Sequence, residues 1–320
     1  MVEPLVSVVV LTYNHEKYIR AALDSVLAQQ TNFPLEIVIG EDFSTDGTRE
    51  IVFKYQDQYP DLIHAITSEQ NVGMGFNARR VFDAAMGRYI AFCEGDDYWT
   101  DPLKLQKQVA AMEADPSITF TFHAVRKEFA DNSRKPKILR YGRRNRYFTA
   151  REVILAGGNF YKLVSAIMNR SVLKAVPGVY FQHTMFDVVL ALLSAISGKV
   201  FYIDEVMAVY RSAVSESWSQ RVSQEPEFVK QNTDQLIMAR TAIDEYTNFS
   251  YHKYMAIRNR KSIRYLLSNS RMEKKALLDL LNHYHSYLTT LDIFIIRIIN
   301  YFNSMPRLYP LVRKLNRLIL

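Results

Sequence analysis

The sequence predicts an α/β protein, with an open, mostly parallel sheet flanked by helices and a helical extension at the carboxyl end. Over the first hundred residues, apolar runs of strand length alternate with segments whose apolar residues recur at helical spacing. This alternation is typical of parallel sheets with right-handed crossovers. From about residue 224 onward the pattern is helical. A chain of 320 residues is long enough for two domains, and we expect them over residues 1–220 and 221–320.

The elements of the first domain can be placed in order. Continuous β-branched and apolar runs predict strands over residues 6–11, 35–40, 63–67 and 89–93. Helical spacing predicts helices over residues 16–28, 49–59, 76–86 and 102–114. Beyond residue 117 the pattern is looser. There we expect a strand over 118–123, helices over 172–176 and 184–196, and edge strands over 200–203 and 208–210.

Composition limits the class of protein. The hydrophobic fraction of 48% and the charged fraction of 23% are those of a globular protein with a sizeable core. The single cysteine, Cys93, excludes intrachain disulfides, and its apolar setting indicates a buried thiol in a reducing compartment. We find no secretory signal and no run of about 18 uncharged apolar residues, so we expect no membrane-spanning helix.

Unusual polar residues follow each of the first four predicted strands. In open α/β sheets, ligands bind beyond the carboxyl ends of the strands, where these residues would meet. Three carboxylates within four residues at the end of a buried strand repel one another unless a cation binds there. We therefore predict a metal and nucleotide site at this edge. The residues are Thr12, Tyr13 and Asn14, Glu41 and Asp42, Asn71 to Gly73, and Glu94, Asp96 and Asp97.

Three segments resemble family 2 glycosyltransferases, which are bacterial, nucleotide-sugar-dependent enzymes of the GT-A (Rossmann-like) fold. The segments are VVVLTYN at 8–14, GEDFSTDGT at 40–48 and CEGDDYWTDP at 93–102, and the resemblance covers about residues 5–215. It implies a GT-A fold, a UDP-sugar as the most favoured donor, and Mn²⁺ or Mg²⁺ as the cofactor. The donor would transfer its sugar to a glycan or lipid-linked acceptor.

The resemblance also implies roles for single residues on the donor side. Thr12 and Asp42 would hold the nucleobase and ribose, together with Tyr13 and Asn14 at the same strand end. Asp96 would contact the ribose, and Asp97 would be the ligand of the metal. Glu94 stands where the family has Asp and would support them. From the residues alone, Asp42 could instead be a turn residue, and the acidic cluster a solvated turn that caps the following helix.

The remaining roles concern the phosphates and the acceptor. Arg79 and Arg211 are expected to contact the donor phosphates, although an exposed helix arginine is an equally ordinary explanation of Arg79. Asp187 maps onto the general base that deprotonates the acceptor hydroxyl. It could also be a helix N-cap, and His183 nearby is a candidate for structure or for the acceptor pocket. The histidine that follows Arg211 in the family is replaced by Ser212.

Two other classes of ligand are disfavoured. Residues 73–78 match the dinucleotide pattern G-x-G-x-x-A, but a bare pyrophosphate at a helix N-terminus would be repelled by strand ends rich in Asp and Glu.

Residues 134–146 contain seven basic and no acidic side chains, which predicts a solvated loop, or else a flap for a phosphorylated acceptor or anionic lipid. We expect no nucleic-acid binding, because interleaved aromatics and a known module are missing.

The carboxyl end predicts a location. After Asp292 no acidic side chain follows, and apolar residues 311, 312, 315, 318 and 319 share one helical face opposite basic ones. Basic amphipathic helices of this kind bind anionic membranes, although packing on the same domain or on a second subunit would also explain them. We expect a cytoplasmic protein, peripheral at the inner face of the cell membrane, acting in O-antigen or capsule synthesis.

Two alternative functions stay open from the sequence. The chain could be a polyprenyl-phosphate glycosyltransferase, or a non-catalytic sugar-nucleotide binding module.

Overall fold

The computed structural model describes residues 3–175, 186–214, 226–269 and 274–303. The chain divides into two compact units, Met1–Gln220 and Arg221–Leu320. The first contains a ten-stranded sheet with helices packed on it, and the second is helical over its described residues.

The strands of the first unit are short in the amino-terminal half, and two long strands dominate the carboxyl-terminal half. They are β1 (Val6–Thr12), β2 (Leu35–Glu41), β3 (Ile63–Ile66), β4 (Tyr89–Phe92), β5 (Tyr98–Trp99), β6 (Ile118–Phe129), β7 (Lys137–Leu139), β8 (Arg146–Phe148), β9 (Ile167–Asn169) and β10 (Lys199–Ser212). The order in the sheet is β3-β2-β1-β4-β9-β6-β10-β5, with β7 on β6 and β8 on β10. Strands β1 to β4 are parallel, as is the long β6–β10 pair, while β5, β7, β8 and β9 join antiparallel. The α/β prediction is confirmed, with a mixed sheet.

The helices of this unit connect the strands and cover the sheet. They are α1 (Ile19–Leu27), α2 (Thr48–Gln58), α3 (Met74–Ala84), α4 (Lys104–Ala114), α5 (Ala150–Ala156) and α6 (Phe186–Ser197). Every residue of β1 is buried, as expected for a central strand covered on both faces. Val8 of β1 shares a core cluster with Ile37 and Ile39 of β2 and Ala91 of β4. The core therefore holds the carboxyl ends of β1, β2 and β4 side by side.

Two predictions about the carboxyl-terminal half of the sheet are wrong. The expected edge strands over 200–203 and 208–210 are one strand, β10, which lies inside the sheet between β6 and β5. The acidic pair Asp204 and Glu205 interrupts the apolar pattern, but the pairing with β6 shifts register there and the strand continues. The expected loop over 134–146 contains β7 and the first residue of β8.

The second unit has four α-helices within its described residues. They are α7 (Pro226–Tyr246), α8 (His252–Asn269), α9 (Lys274–His283) and α10 (Thr290–Asn303). Their shared core includes Ile263, Leu266, Leu267, Tyr284 and Ile296. None of the helices in the described part of the chain combines the length and apolar character that crossing a membrane requires. The amphipathic face predicted over 311–319 lies outside the described residues.

Candidate functional site

The parallel strands bring the predicted polar residues to one edge of the sheet. Strand β1 lies between β2 and β4, so the residues after these strands are neighbours. The Asp42 amide donates to the Thr12 carbonyl (3.1 Å), and the Gly95 amide donates to the Leu11 carbonyl (2.9 Å). A Cβ at Gly95 would lie 2.7 Å from both Thr12 Oγ1 and His15 Nδ1, so the chain approaches β1 here as only glycine allows.

The turns after β1 and β2 are locked to each other. Asn14 and Phe43 both have positive φ angles, 53° and 62°, which non-glycine residues adopt at a cost. Hydrogen bonds between the turns hold them: the Asn14 amide donates to Ser44 Oγ (3.0 Å), and the Thr45 amide to Asn14 Oδ1 (2.9 Å). The rings of Tyr13 and Phe43 remain exposed at this edge, 37% and 39% respectively. We call residues 12–16 and 43–48 the paired turns.

Asp42 is buried and fixes the loop that follows β3. Its two carboxylate oxygens accept hydrogen bonds from the amides of Val72 (2.8 Å) and Gly73 (2.9 Å). Gly73 directly precedes α3, so the amino end of that helix already faces a carboxylate. This arrangement disfavours a dinucleotide pyrophosphate at residues 73–78, because it would meet the negative charge of Asp42.

Asp97 is a buried carboxylate with one oxygen that no group in the described part of the chain satisfies. Its side chain is 1% exposed, and its Oδ1 accepts a hydrogen bond from the Arg211 amide at 2.6 Å. Its Oδ2 is buried and has no hydrogen-bond partner. Burial, with the nearby charges of Asp96 and Glu94, holds the pKa of Asp97 well above its usual range. An orphaned carboxylate oxygen in an acidic cluster is a donor that a hard divalent cation would complete.

The wider acidic cluster is consistent with a cation held mainly by a bound diphosphate. Burial raises the pKa of half-buried Glu94 to about 8, and the charges of Asp96 and Asp187 add to the effect. Within the described ranges, no set of three or more acidic, histidine or cysteine side chains forms a ready-made metal cage. Mg²⁺ and similar ions are commonly bound by one or two carboxylates together with substrate phosphates. The residues present therefore fit a nucleotide-borne metal.

Arg211 closes the acidic cluster from β10. Its Nη1 donates to the Asp96 carbonyl at 2.8 Å, in addition to the backbone bond to Asp97. The guanidinium lies over the rings of Tyr98 (4.5 Å) and Tyr18 (5.1 Å). These contacts orient Asp97 and place a fixed positive charge beside it.

Asp187 lies in the first turn of α6 and interacts electrostatically with Lys162, a residue that the sequence pattern did not single out. Burial raises the pKa of Asp187, and the charge of Lys162 opposes that shift. Burial lowers the pKa of Lys162, and the negative charges of Asp187, Glu94 and Asp97 offset only part of that shift. The Tyr161 hydroxyl donates to the Asp187 carbonyl at 2.8 Å. The charge of Lys162 thus acts on both the predicted base and the acidic cluster. In the sequence its only local sign is a single lysine within the apolar stretch 160–166. His183 lies outside the described residues.

Arg79 and its neighbour Arg80 face different surroundings. Arg79 forms an i,i+4 ion pair with Asp83 at 2.7 Å and lines a groove with Leu5 and Arg88, which precede β1 and β4. That groove is at the amino ends of the strands. Arg80 instead lies 3.7 Å from Asp42 and bonds Asn77 Oδ1 at 2.8 Å. The structure therefore brings Arg80, and not Arg79, toward the predicted nucleotide edge.

Residues 7–176 match the family described as Glycosyl transferase family 2, which is more than half of the chain. The chain belongs to this family. The family prediction is confirmed, and with it the membership in a group of glycosyltransferases.

Curated relatives share the amino-terminal part of the chain. The uncharacterized protein Rv1520 of Mycobacterium tuberculosis is 38% identical over 213 residues, which cover 66% of this chain and 60% of the relative. Escherichia coli WfaP is named a UDP-Glc:α-D-GlcNAc-diphosphoundecaprenol β-1,3-glucosyltransferase. It is 33% identical over 126 residues, covering 39% of this chain and 48% of WfaP. The chain thus spans about 60% or less of the length of these relatives.

Solved structures share the fold over most of the chain. S. aureus TarS 1–349 in complex with UDP-GlcNAc superposes with a TM-score of 0.67 at 17% identity, covering 92% of this chain and 88% of TarS. The mannosyltransferase PcManGT from Pyrobaculum calidifontis, in complex with GDP-Man and Mn²⁺, gives 0.56 at 14% identity, covering 99% and 84%. At these identities the likeness shows the fold alone, which is the predicted GT-A type.

Proposed function

We propose that this chain is an inverting glycosyltransferase that moves a sugar from a UDP-sugar to a hydroxyl of a glycan or lipid-linked acceptor. One observation carries the proposal: the buried, unpartnered oxygen of Asp97 lies at the same sheet edge as Thr12 and Asp42. The charge of Asp187 also acts on the acidic cluster through Glu94 and Lys162. A donor site and a base would then face a common space.

The donor would lie across the paired turns. Thr12, Tyr13, Asn14 and Asp42 are proposed to hold the nucleobase and ribose, and Asp96 the ribose. The exposed Tyr13 ring offers a surface on which a base can stack. The UDP-GlcNAc bound by TarS and the UDP-Glc named for WfaP favour a uridine nucleotide here.

Asp97 is the proposed ligand of Mn²⁺ or Mg²⁺. A bound cation would neutralise the charge that builds on the departing diphosphate. Arg211 holds Asp97 through its amide and adds a positive charge toward the same phosphates. Arg80 is better placed than Arg79 to reach the nucleotide, since it already lies beside Asp42.

Asp187 is the proposed general base. A carboxylate in water is a weak base, and burial strengthens Asp187 by raising its pKa. The positive charge of Lys162 opposes that rise and so favours the ionised carboxylate, the form that can accept the hydroxyl proton. The oxygen so activated would attack the anomeric carbon in line with the departing diphosphate.

The setting we propose is synthesis of a surface polysaccharide such as O-antigen or capsule, at the inner face of the cell membrane. Residues 1–220 would carry catalysis, and residues 221–320 would provide the membrane contact. Leu291 and Phe294 of α10 are 64% and 61% exposed, and Arg297 on the same helix is also exposed. Exposed apolar and basic side chains on one helix suit an anionic lipid surface.

Calorimetric titration of UDP, GDP and dTDP, with and without Mn²⁺, tests the donor half of the proposal. Metal-dependent binding of UDP should be lost in Asp97→Ala and kept in Asp57→Ala, which removes an exposed acid from α2. If no nucleotide binds the unmodified protein in the presence of Mn²⁺, the metal–nucleotide site is refuted.

Turnover of Asp187→Asn separates the two alternative functions from the main one. Loss of nearly all transfer with UDP binding intact supports an activated acceptor hydroxyl. Retained transfer points to a polyprenyl phosphate acceptor, which needs no strong base. UDP binding without transfer in the unmodified protein would leave only the sugar-nucleotide binding module.

A further inference from the structure

A small pocket lined by cations includes Lys162 in its wall. Its volume is about 370 Å³, within the range of small-molecule sites. The charged residues that line it are Lys127, Lys137, Arg140 and Lys162, and no carboxylate is among the lining residues that the structure describes. We call this the basic pocket.

Strand pairing forces two of these lysines together. Lys127 on β6 lies directly opposite Lys137 on β7 in an antiparallel pair. Like charges at directly opposed positions destabilise a sheet. Tyr210 on β10 is the partner of Lys127 on its other side, so the three residues form a row across three strands. The fold holds this repulsive pair in place although a single substitution would remove it.

Aromatic rings support the lysines without neutralising them. The ammonium groups of Lys127 and Lys162 lie 5.5 and 5.0 Å from the centre of the Tyr210 ring. Lys127 also lies 4.9 Å from the ring of Phe129. Of the four cations, Arg140 is paired with Asp204, and no described carboxylate forms an ion pair with the three lysines. Burial lowers the pKa of Lys127, and the charges of Lys162 and Lys137 lower it further.

The basic pocket adjoins the proposed base. Lys162 lines the pocket, and its charge also acts on Asp187 and Glu94. The Tyr161 hydroxyl, one residue before Lys162, donates to the Asp187 carbonyl at 2.8 Å, so an anion held in the pocket would lie near the segment that contacts Asp187. Three lysines and no acid suit a multiply charged anion, because phosphate oxygens accept several charge-assisted hydrogen bonds at once.

We propose that the basic pocket binds phosphate groups of the acceptor, a diphosphate or phosphodiester, and so directs its hydroxyl toward Asp187. That the anion belongs to an acceptor rests on the proposed function; that the pocket binds a phosphate anion does not. The like-charged pair across β6 and β7 is then a binding device, and the bound anion removes the repulsion.

The test uses the full chain with its donor site filled by saturating UDP and Mn²⁺. Two probes are titrated, inorganic pyrophosphate and farnesyl diphosphate, into the unmodified protein and two double variants. Lys127→Gln with Lys137→Gln removes two charges from the pocket. Arg143→Gln with Arg144→Gln removes two exposed charges from the same segment outside it. UDP binding is measured separately in all three proteins.

We expect the pocket variant to weaken binding of a probe about tenfold or more, and the control variant to leave it within about twofold. UDP binding should be equal in all three. Tighter binding of farnesyl diphosphate than of pyrophosphate identifies a lipid-linked source, and equal binding identifies the phosphates of a soluble or polymeric glycan. If neither probe binds, or if both variants weaken it alike, the proposal is overturned.

Two further measurements keep the outcomes distinct. If UDP fails to bind the unmodified protein, the proposed function fails, and pyrophosphate titrated without UDP still tests the pocket. Lys137→Glu should raise the melting temperature, because it replaces a repulsion with Lys127 by an attraction, and should abolish probe binding. Unchanged probe binding in Lys137→Glu would refute the site even if the protein is more stable.

Discussion

Lys104 on α4 is fully buried, and its ammonium group has no hydrogen-bond partner. It lies 4.2 Å from the centre of the Trp99 ring, a cation–π contact that favours the charged form by about 2 kcal/mol at most. Burial of an unpaired ammonium costs several kcal/mol and wins, lowering the pKa of Lys104 from 10.5 to about 7. We therefore predict that Lys104→Met stabilises the protein, and that the gain depends on pH.

The sign and size follow from proton linkage. Between pH 7 and 10.5 the unfolded chain binds a proton at Lys104 that the folded chain releases, so the free energy of unfolding rises with pH. A shift of 3.5 units corresponds to a total of about 5 kcal/mol, fully imposed below pH 7. Integrated from pH 7 to 9, the linkage gives about 2 kcal/mol. The stability advantage of Lys104→Met over the unmodified protein should shrink by that amount across this window.

Urea unfolding at pH 7, 8 and 9, followed by circular dichroism, measures this difference. Starting at pH 7 keeps His123 out of the comparison, since burial holds its pKa well below 6.5 and it is neutral in both proteins. Lys54→Met, on an exposed position of α2, removes the same charge without changing a buried site and is the control. Two results would show that the surroundings hold the ammonium in its charged form. One is a difference in free energy of unfolding between Lys104→Met and the unmodified protein that does not change between pH 7 and 9. The other is a less stable Lys104→Met at pH 7.

Three further predictions concern the site. Asp97→Asn should raise the melting temperature by several degrees, because it removes a buried charge that Asp96 and Glu94 repel. The variant should no longer bind UDP in a Mn²⁺-dependent way. A lower melting temperature would show that Asp97 is not repelled by these neighbours. Gly95→Ala should lower the free energy of unfolding by about 1–3 kcal/mol in urea denaturation, since its Cβ would meet Thr12 at 2.7 Å, and an unchanged value would mean that β1 yields easily. Lys162→Gln should move the acid limb of the kcat/KM profile to higher pH, because the positive charge that lowers the pKa of Asp187 is gone; a limb that stays in place would separate the two residues.

Much of the fold could be predicted from local patterns. The first four strands and helices appear within about three residues of their predicted bounds, because period and burial agree in each of them. Strand β10 was predicted as two pieces, since Asp204 and Glu205 interrupt its apolar pattern and only the pairing with β6 carries the chain through. Such tertiary support leaves no local trace in the sequence.

The site was predictable where it is built by strand ends and unpredictable where it is built by long-range packing. Asp42 and Asp97 follow strands that a simple rule places together. Lys162 belongs to a short irregular segment whose position depends on the whole carboxyl-terminal half of the sheet. Arg79 and Arg80 are adjacent on one helix and about 100° apart around its axis, so Arg79 pairs with Asp83 and Arg80 lies beside Asp42. The local sequence pattern does not distinguish these two surroundings.

The paired turns have a consequence for engineering the proposed nucleotide site. Each turn supplies the hydrogen bonds that keep the other in its left-handed backbone state, as in the bonds of Asn14 to Ser44 and Thr45. A graft of one turn from another enzyme would therefore leave two strained residues without support, at about 1–3 kcal/mol each. Residues 12–16 and 43–48 are best exchanged as one cassette.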